Sequence, residues 1–409
     1  MTDPDVRPYD PFAPETLADP FAAHSRLRAE CPVHFHPDFG DRGFYSAALA
    51  DDVTEIFTDV DRWSGDWGQG PIYVKEGGLR SDPPEHTIYR RLVTSAFTVR
   101  RVNEWEPMVR ATADELIDAF ADRGSADLCS GFAVPFPIMV ISKILGVPTD
   151  RLADFKEWSD EFMAGQNAAD PEVQGRARAK IDEFFRAELG RRRALVAAAP
   201  PDAEVVGAVL PDDVLTSLLL AEHDGRPFTD EQLLPLLLLL LVGGNETTTS
   251  MIGNLVGRLL DLDAWESTAA SPDTWDIAIE ESLRFDPPVM GMFRTAKGDQ
   301  ELRGVTIPDE CKIEALIASA NRDPARFDDP DTFRLDRDLD TVRRNHLSLG
   351  AGIWFCPGAA LARLEGRVAI ESFARRLPGL RRDGAGERVA SFMMWGPQTL
   401  PVTWDRAST

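Results

Sequence analysis

The sequence predicts a mainly α-helical protein with small β-sheets, folded as a single α+β domain. Helical periodicity of apolar residues dominates the chain, whereas strand-like runs are short and scattered, as at 305–307 and 313–318. No internal repeat, low-complexity tract or convincing domain boundary divides the 409 residues, of which 43% are hydrophobic. We therefore expect one domain over residues 1–409, with a substantial buried core.

The individual elements follow from local patterns. The Pro-rich, acidic residues 1–20 are predicted to be an extended N-terminal segment, and 197–204 an exposed connection. Thr229, with Gln232 three residues later, has the spacing of a capping box at a helix start. Amphipathic or buried helices are predicted over 102–120, 150–162, 177–196, 229–260 and 359–377.

Charge and cysteine content exclude several classes of protein. The chain carries 44 Lys and Arg against 68 Asp and Glu, a net charge of −24, which argues against a nucleic-acid-binding protein. The longest apolar run, 233–242, is too short for a bilayer core of about 30 Å, and the N-terminal residues lack a secretory signal pattern. The four cysteines are far apart, with no CxxC pair, which is typical of a reducing compartment and argues against structural zinc. We expect a cytoplasmic protein with no membrane contact.

Two glycines interrupt the most apolar predicted helix. Gly243 and Gly244 each cost about 1 kcal/mol relative to alanine inside a helix, so a flat or bulky ligand lying against the backbone would explain them. Glu246 and Thr247 follow at once, an acid beside a hydroxyl, which suits proton delivery. A glycine-weakened packing face with solvent-bonded threonines is the alternative interpretation.

A glycine-rich loop places one cysteine at a predicted helix start. Gly350 and Gly352 permit a tight turn before Cys356, and Pro357 suits the first helical turn. Helix N-terminal N–H groups stabilise a thiolate and lower its pKa. A small buried hydrophobe and a catalytic nucleophile are the alternatives for such a cysteine, and a nucleophile would need a base that the sequence does not place.

The loop resembles the haem-ligand signature of the cytochrome P450 family, the haem-thiolate monooxygenases. In that family a cysteine thiolate binds the haem iron, and the resemblance places Cys356 in this role. The segment 243–247 resembles the family's oxygen-activating motif, with Thr247 and Glu246 as the catalytic pair. Glu281 and Arg284 resemble its buried Glu-x-x-Arg pair, to which the segment 333–337 adds Arg337. The motifs occur in the family's order, and the similarity extends over about residues 10–404.

The resemblance also implies a set of cofactor-binding residues and two departures from the family pattern. Leu349 stands where phenylalanine usually shields the sulfur, so we expect shielding to persist with a shifted reduction potential. Trp354 stands where a propionate-binding His or Arg is usual. Its indole N–H could donate one hydrogen bond without charge, or its ring could simply pack. The implied cofactor-binding residues are His86, Arg90, Gly243, Gly244, Arg294, Leu349, Gly350, Trp354, Cys356 and Gly358.

The resemblance implies a fold with haem b between the long glycine-containing helix and the cysteine loop, and O2 as co-substrate. It implies a monomeric monooxygenase that hydroxylates or otherwise oxidises a small apolar organic substrate. Since the chain has no flavin or iron-sulfur segment, electrons would come from a ferredoxin and its reductase. A peroxide-driven oxygenase and a haem-binding sensor are alternatives, although neither needs the acid-alcohol pair. A cysteine hydrolase would be colourless.

The sequence also predicts a substrate pocket and a docking surface for an electron donor. Methionine adapts its shape, so a methionine-rich pocket favours a bulky apolar ligand, with core packing as the alternative. The candidate pocket residues are Trp67, Met163, Val242, Val289, Met290, Met292, Met393 and Met394. The segments 89–103 and 341–364 contain arginines and no acid, and would form a basic docking face for an acidic ferredoxin. Its residues are Arg91, Arg100, Arg101, Arg343, Arg344 and Arg363.

Overall fold

The computed structural model describes residues 9–39 and 42–406 and is mainly helical. Its helices are α1 (Pro14–Ala18), α2 (Pro20–Glu30), α3 (Ala50–Thr58), α4 (Glu85–Ala96), α5 (Val99–Asp118), α6 (Pro135–Leu145), α7 (Leu152–Asn167), α8 (Pro171–Ala198), α9 (Val214–Leu219), α10 (Asp230–Asp261), α11 (Trp265–Ala269), α12 (Trp275–Phe285), α13 (Ile317–Ala320), α14 (Leu339–Asn345) and α15 (Ala359–Arg376). The five long predicted helices correspond to α5, α7, α8, α10 and α15.

The strands are short and form small sheets. They are β1 (Val33–His36), β2 (Phe44–Ala47), β3 (Trp63–Ser64), β4 (Ser125–Asp127), β5 (Glu222–His223), β6 (Arg226–Pro227), β7 (Met292–Ala296), β8 (Gln300–Leu302), β9 (Val305–Ile307), β10 (Lys312–Ala315), β11 (Arg381–Arg382) and β12 (Pro401–Thr403). The largest sheet has the order β1-β2-β10-β7-β3, with β10 parallel to β2 and antiparallel to β7. The predicted mainly helical architecture with small sheets is confirmed.

The helix α10 forms the centre of the molecule. It begins after Thr229, where the predicted capping box with Gln232 is present. Its length and composition would suffice to cross a membrane, but 72% of its apolar window is buried inside the protein, against α6, α8, α12 and α15. The apolar run therefore builds the core, as the sequence predicted.

Two predicted boundaries differ from the structure. Part of the N-terminal segment, predicted to be extended, is helical: α1 begins at Pro14, and α2 follows Asp19, whose carboxylate accepts from the Phe21 N–H. Proline fits a first helical turn, which explains both starts. Residues 1–8 lie outside the described residues. The strand predicted over 313–318 ends at Ala315, because the chain turns into α13.

Candidate haem and oxygen site

The two glycines of α10 have different surroundings. Gly243 is exposed although Val242 before it is only 3% exposed and Asn245 is fully buried. A Cβ at Gly244 would lie 3.2 Å from the Ile141 side chain, so this glycine allows α6 to approach. A Cβ at Gly243 would contact only Leu239, at 3.6 Å. Gly243 thus opens a bare patch of backbone in the middle of the core helix.

The acid and the hydroxyl after the glycines point in different directions. The Thr247 hydroxyl donates to the Gly243 carbonyl at 2.7 Å, which places it beside the bare patch. The Glu246 carboxylate lies 3.5 Å from Lys156 Nζ on α7, and Lys156 also pairs with Asp160. Burial raises the pKa of Glu246, Lys156 lowers it and Asp160 raises it. The sequence did not reveal Lys156, which is 90 positions away.

The cysteine loop is held by its own backbone. The Cys356 N–H donates to the Leu349 carbonyl at 2.7 Å, and Leu349 itself is buried. Gly350 has φ +73°, and a Cβ there would lie 2.7 Å from the Trp354 carbonyl oxygen, so only glycine fits this turn. The helix α15 begins at Ala359 with Gly358 as its N-cap, so Pro357 precedes the first turn it was predicted to occupy.

The Cys356 thiol lies between opposing electrostatic influences. Burial raises its pKa, whereas the Gly358 N–H and the guanidinium groups of Arg90 and Arg363 lower it. The sequence predicted that the helix start lowers the pKa of Cys356, but within the chain itself the effect of burial is larger and the pKa is raised. A metal cation deprotonates a coordinating thiol outright, so the three stabilising groups suit a metal-bound thiolate. Arg90 is fixed beside the loop by a hydrogen bond to the Phe355 carbonyl.

A buried cation that forms no ion pair within the part of the chain that the structure describes lies beside the cysteine loop. Arg294 on β7 is 1% exposed, and its guanidinium carbon lies 4.8 Å from the Trp354 ring centroid. Among the described residues, neither Arg294 Nε nor Trp354 Nε1 has a hydrogen-bond partner, although both atoms are buried. His86 completes the group, its ring centroid 4.6 Å from that of Trp354. Burial lowers the pKa of Arg294 to about 10, so it remains charged at neutral pH. Orphaned buried donors of this kind fit an anionic ligand group.

The predicted ion cluster is assembled, with Glu281 and Arg284 fully buried and Arg337 partly exposed at its edge. Arg284 binds both carboxylate oxygens of Glu281 at 2.7 Å, and Arg337 Nε donates to the same carboxylate at 3.0 Å. The remaining guanidinium donors reach backbone carbonyls, including those of Asn321 and Pro330. Because every buried charge has a partner, the cluster fixes the segment before the cysteine loop.

The sequence did not reveal a second cluster around the neighbouring Glu280. This fully buried carboxylate accepts from His346 at 2.9 Å, from Arg343 at 3.1 Å and from Arg363 at 2.6 Å. Burial raises the pKa of Glu280, but the hydrogen bonds from His346 and Arg363 outweigh it and lower the pKa to about 2. Glu280 therefore joins α12 to α15 and to the start of the cysteine loop.

Comparisons with known proteins identify the family. The family model described as cytochrome P450 matches residues 275–377. The chain is 35% identical to the cytochrome P450 monooxygenase PikC of Streptomyces venezuelae, over 95% of this chain and 92% of that protein. The chain belongs to the cytochrome P450 family. The vitamin D(3) 25-hydroxylase of Pseudonocardia autotrophica is 35% identical over 98% of both chains. The structure of the cytochrome P450 CYP109Q5 from Chondromyces apiculatus matches with TM-score 0.83 at 33% identity, covering 98% of this chain and 99% of that one.

The family membership confirms the single-domain P450 fold and makes this protein a cytochrome P450 monooxygenase, an oxidoreductase. Cytochromes P450 bind haem through a cysteine thiolate and use O2. The orphaned Arg294 and Trp354 donors, the bare backbone at Gly243 and the donors around Cys356 all fit such a group.

The structure divides the predicted pocket methionines of this P450. Val289, Met292 and Met394 belong to one apolar cluster, which Met163 also contacts. Val242 lies in the central core, and Trp67 is half-buried.

Met290 and Met393 depart from that grouping. Met290 packs with Ala318 and Trp395, and Met393 with three phenylalanines. Side chains alternate along the extended chain, so the neighbours of Val289 and Met394 face the opposite side.

Acids outside the two segments, one of them the directly adjacent Glu104, pair with most arginines of the predicted basic face. Arg343 and Arg363 bind Glu280, Arg101 binds Asp212 at 2.9 Å, and Arg100 lies 3.3 Å from Glu104. The local absence of acid in the sequence was therefore a poor guide to local charge.

The other two arginines of the set, Arg91 and Arg344, are exposed and form no ion pair with any residue the structure describes. Beside Arg91 is a largely apolar groove of about 560 Å³, between α4 and Ile353 of the cysteine loop.

Proposed function

We propose that this P450 binds haem b through Cys356 and inserts one oxygen atom of O2 into a small apolar organic substrate. Electrons would come from a ferredoxin and its reductase, to a monomeric enzyme in the cytoplasm. The observation that carries the proposal is the buried Arg294 guanidinium, which forms no ion pair with a carboxylate of residues 9–39 or 42–406 and lies against Trp354 of the cysteine loop. An uncompensated buried cation is costly, and a haem propionate would neutralise it.

One group of residues would bind a haem propionate, and a second group would contact the haem itself. The Arg294 Nε–H and the Trp354 Nε1–H are free to donate to one propionate, with His86 and Arg90 on the neighbouring helix α4. Cys356 would supply the thiolate, and bare backbone at Gly243 would lie against the other face. When bound, the haem supplies the activation of O2.

The chain's own contribution to the chemistry is proton delivery. The Thr247 hydroxyl donates a hydrogen bond to the Gly243 carbonyl, so its oxygen lone pairs can accept a hydrogen bond at the bare patch. Glu246 faces Lys156 and Asp160 of α7, which makes its carboxylate the outer end of the path. The raised pKa of Glu246 favours its protonated form, which suits a carboxyl group that passes on a proton.

The substrate class is proposed from the predicted pocket residues that lie together in one apolar cluster. Met163, Val289, Met292 and Met394 form an apolar, adaptable wall, which suits a bulky apolar molecule. One relative is named a vitamin D(3) 25-hydroxylase, in keeping with a substrate of this class.

The experiment follows the fate of electrons in Thr247→Ala. A substrate is first selected by conversion of the haem iron from low to high spin. We expect the variant still to consume electrons from the ferredoxin and its reductase but to release hydrogen peroxide. The yield of oxidised product per electron pair should fall about tenfold. Thr54→Ala is the matched control, because Thr54 makes the same bond to the carbonyl four residues earlier, in α3. Unchanged coupling in Thr247→Ala would contradict the proton-delivery role.

A further inference from the structure

Four consecutive backbone carbonyls of the segment 67–70 turn toward the main sheet. Lys312 Nζ donates to those of Trp67, Gly68 and Gly70 at 2.7, 3.0 and 2.8 Å. The fourth, that of Gln69, accepts from the Phe293 N–H at 3.1 Å. An ammonium group has three N–H donors, so every donor of Lys312 is used on this one segment.

The sheet aims Lys312 at this segment. Side chains alternate along β10, so Lys312 points away from Ile313, which packs in the apolar cluster on the other face. Lys312 is 0% exposed, and its Nζ lies 5.2 Å from the Tyr73 ring centroid. Burial lowers its pKa to about 7, Glu76 raises it and Arg294 lowers it. The carbonyl dipoles offset part of the cost of burying the ammonium.

The segment 67–70 has no helix or strand of its own to hold it. Residues 65–77 contain no regular element, and Gly68 adopts φ +84°. Carbonyl oxygens that converge on one point repel each other unless a cation lies between them. The position of Trp67, a candidate wall of the substrate pocket, thus depends on a charge from β10.

We propose that Lys312 is a positioning residue whose ammonium acts as a tethered cation in this carbonyl cradle and fixes the pocket wall at 67–70. The proposal rests on the proposed function in one respect, namely that the segment 67–70 borders a substrate pocket. All three donors of Lys312 bind backbone carbonyls, so it acts through the segment that it holds.

The first test compares Lys312→Met with Lys180→Met, a surface lysine whose side chain is 41% exposed. Methionine keeps the apolar stem and removes the charge. In the holoenzyme at about pH 6, where Lys312 is mainly an ammonium, we expect amide hydrogen exchange over 65–77 to rise about tenfold in Lys312→Met alone. Binding of 4-phenylimidazole, which needs an ordered pocket wall, should weaken about tenfold, while that of imidazole stays the same. Wild-type protection over 65–77 would overturn the proposal.

The second test restores the cation from solution. In Lys312→Ala, n-propylammonium should return the protection of 65–77, whereas n-propanol, of similar size but uncharged, should not. Equal effects of the two compounds, or a variant that does not fold even with n-propylammonium, would contradict the tethered-cation role. The ferrous carbon monoxide spectrum of Lys312→Met, expected to match the wild type, shows separately whether the haem-thiolate proposal holds.

Discussion

The buried side chain of Arg294 is the strongest indication that the chain binds an anionic ligand group. Arg294 is 1% exposed, and its Nε has no hydrogen-bond partner among the described residues. Burial lowers its pKa, and Asp82, the one carboxylate that raises its pKa, forms no ion pair with it. Trp354 provides a second buried donor beside Arg294. The sequence left its role open between packing and hydrogen bonding, and its buried, unpartnered Nε1 favours the second.

Arg294→Leu tests this reading. We expect haem to leave the variant at least about tenfold faster, because one propionate loses its cation. The holoenzyme is mixed with excess apomyoglobin and the transfer is followed by absorbance. Arg294→Lys, which keeps the charge, should fall between the two. Loss of haem from Arg294→Leu at the wild-type rate would show that no propionate is bound there.

Lys156→Met tests the outer end of the proton path. Lys156 lowers the pKa of Glu246, so its removal should raise that pKa further. The acidic limb of the kcat profile should then move to higher pH. Lys180→Met removes a lysine that pairs with Glu157 and Glu161 of α7 and forms no ion pair with Glu246 in the described residues, so it should leave the profile unchanged. An unshifted limb in Lys156→Met would separate Glu246 from turnover.

At the scale of elements, Glu280 joins α12 to α15 and the cysteine loop. Its pKa of about 2 lies well below the ordinary value of 4.5, so its contribution is present above about pH 4.5 and is lost as the pH falls toward 2. The shift corresponds to about 3 kcal/mol of stability at neutral pH.

Glu280→Gln should therefore lower the free energy of unfolding at pH 7 by about 3–5 kcal/mol, since it also leaves buried cations unpaired. The difference from the wild type should shrink as both are unfolded in urea at successively lower pH. A constant difference down to about pH 3 would mean that Glu280 is not ionised in the folded protein.

Local patterns predicted the elements but not the contacts between them. The capping box and the 3.6-residue period located α10, because both depend on neighbours in the chain. The ion cluster of Glu281 was found only through the resemblance to a family. The clusters of Glu280 and Lys312 join residues that are tens to hundreds of positions apart, and no local pattern records them. The separation of Met290 from Val289 depends on the alternation of side chains along an extended chain, which a short run does not reveal.

At the scale of the whole molecule, the net charge of −24 hides a small basic surface. Four of the six predicted docking arginines are neutralised by acids, so the surface reduces to Arg91 and Arg344. Arg91 borders the apolar groove by Ile353, two residues before the exposed Phe355, and we propose that an acidic ferredoxin docks there.

Reversal of both charges, in Arg91→Glu with Arg344→Glu, should slow reduction of the haem by a ferredoxin steeply. It should also remove much of the dependence of that rate on salt, because steering is electrostatic. Stopped-flow reduction at several ionic strengths measures both effects. Arg381→Glu, an exposed arginine on β11 paired with Asp405, is the control. An unaffected rate in the double variant would place the docking face elsewhere.

The central claim is that Cys356 provides the thiolate of a haem monooxygenase. Its most direct test is the spectrum of the ferrous carbon monoxide complex of the purified protein and of Cys356→Ser. The strongly red-shifted Soret band of a thiolate-bound haem should be present in the wild type and absent from the variant. A colourless wild-type protein, or a red-shifted band that persists in Cys356→Ser, would contradict the account.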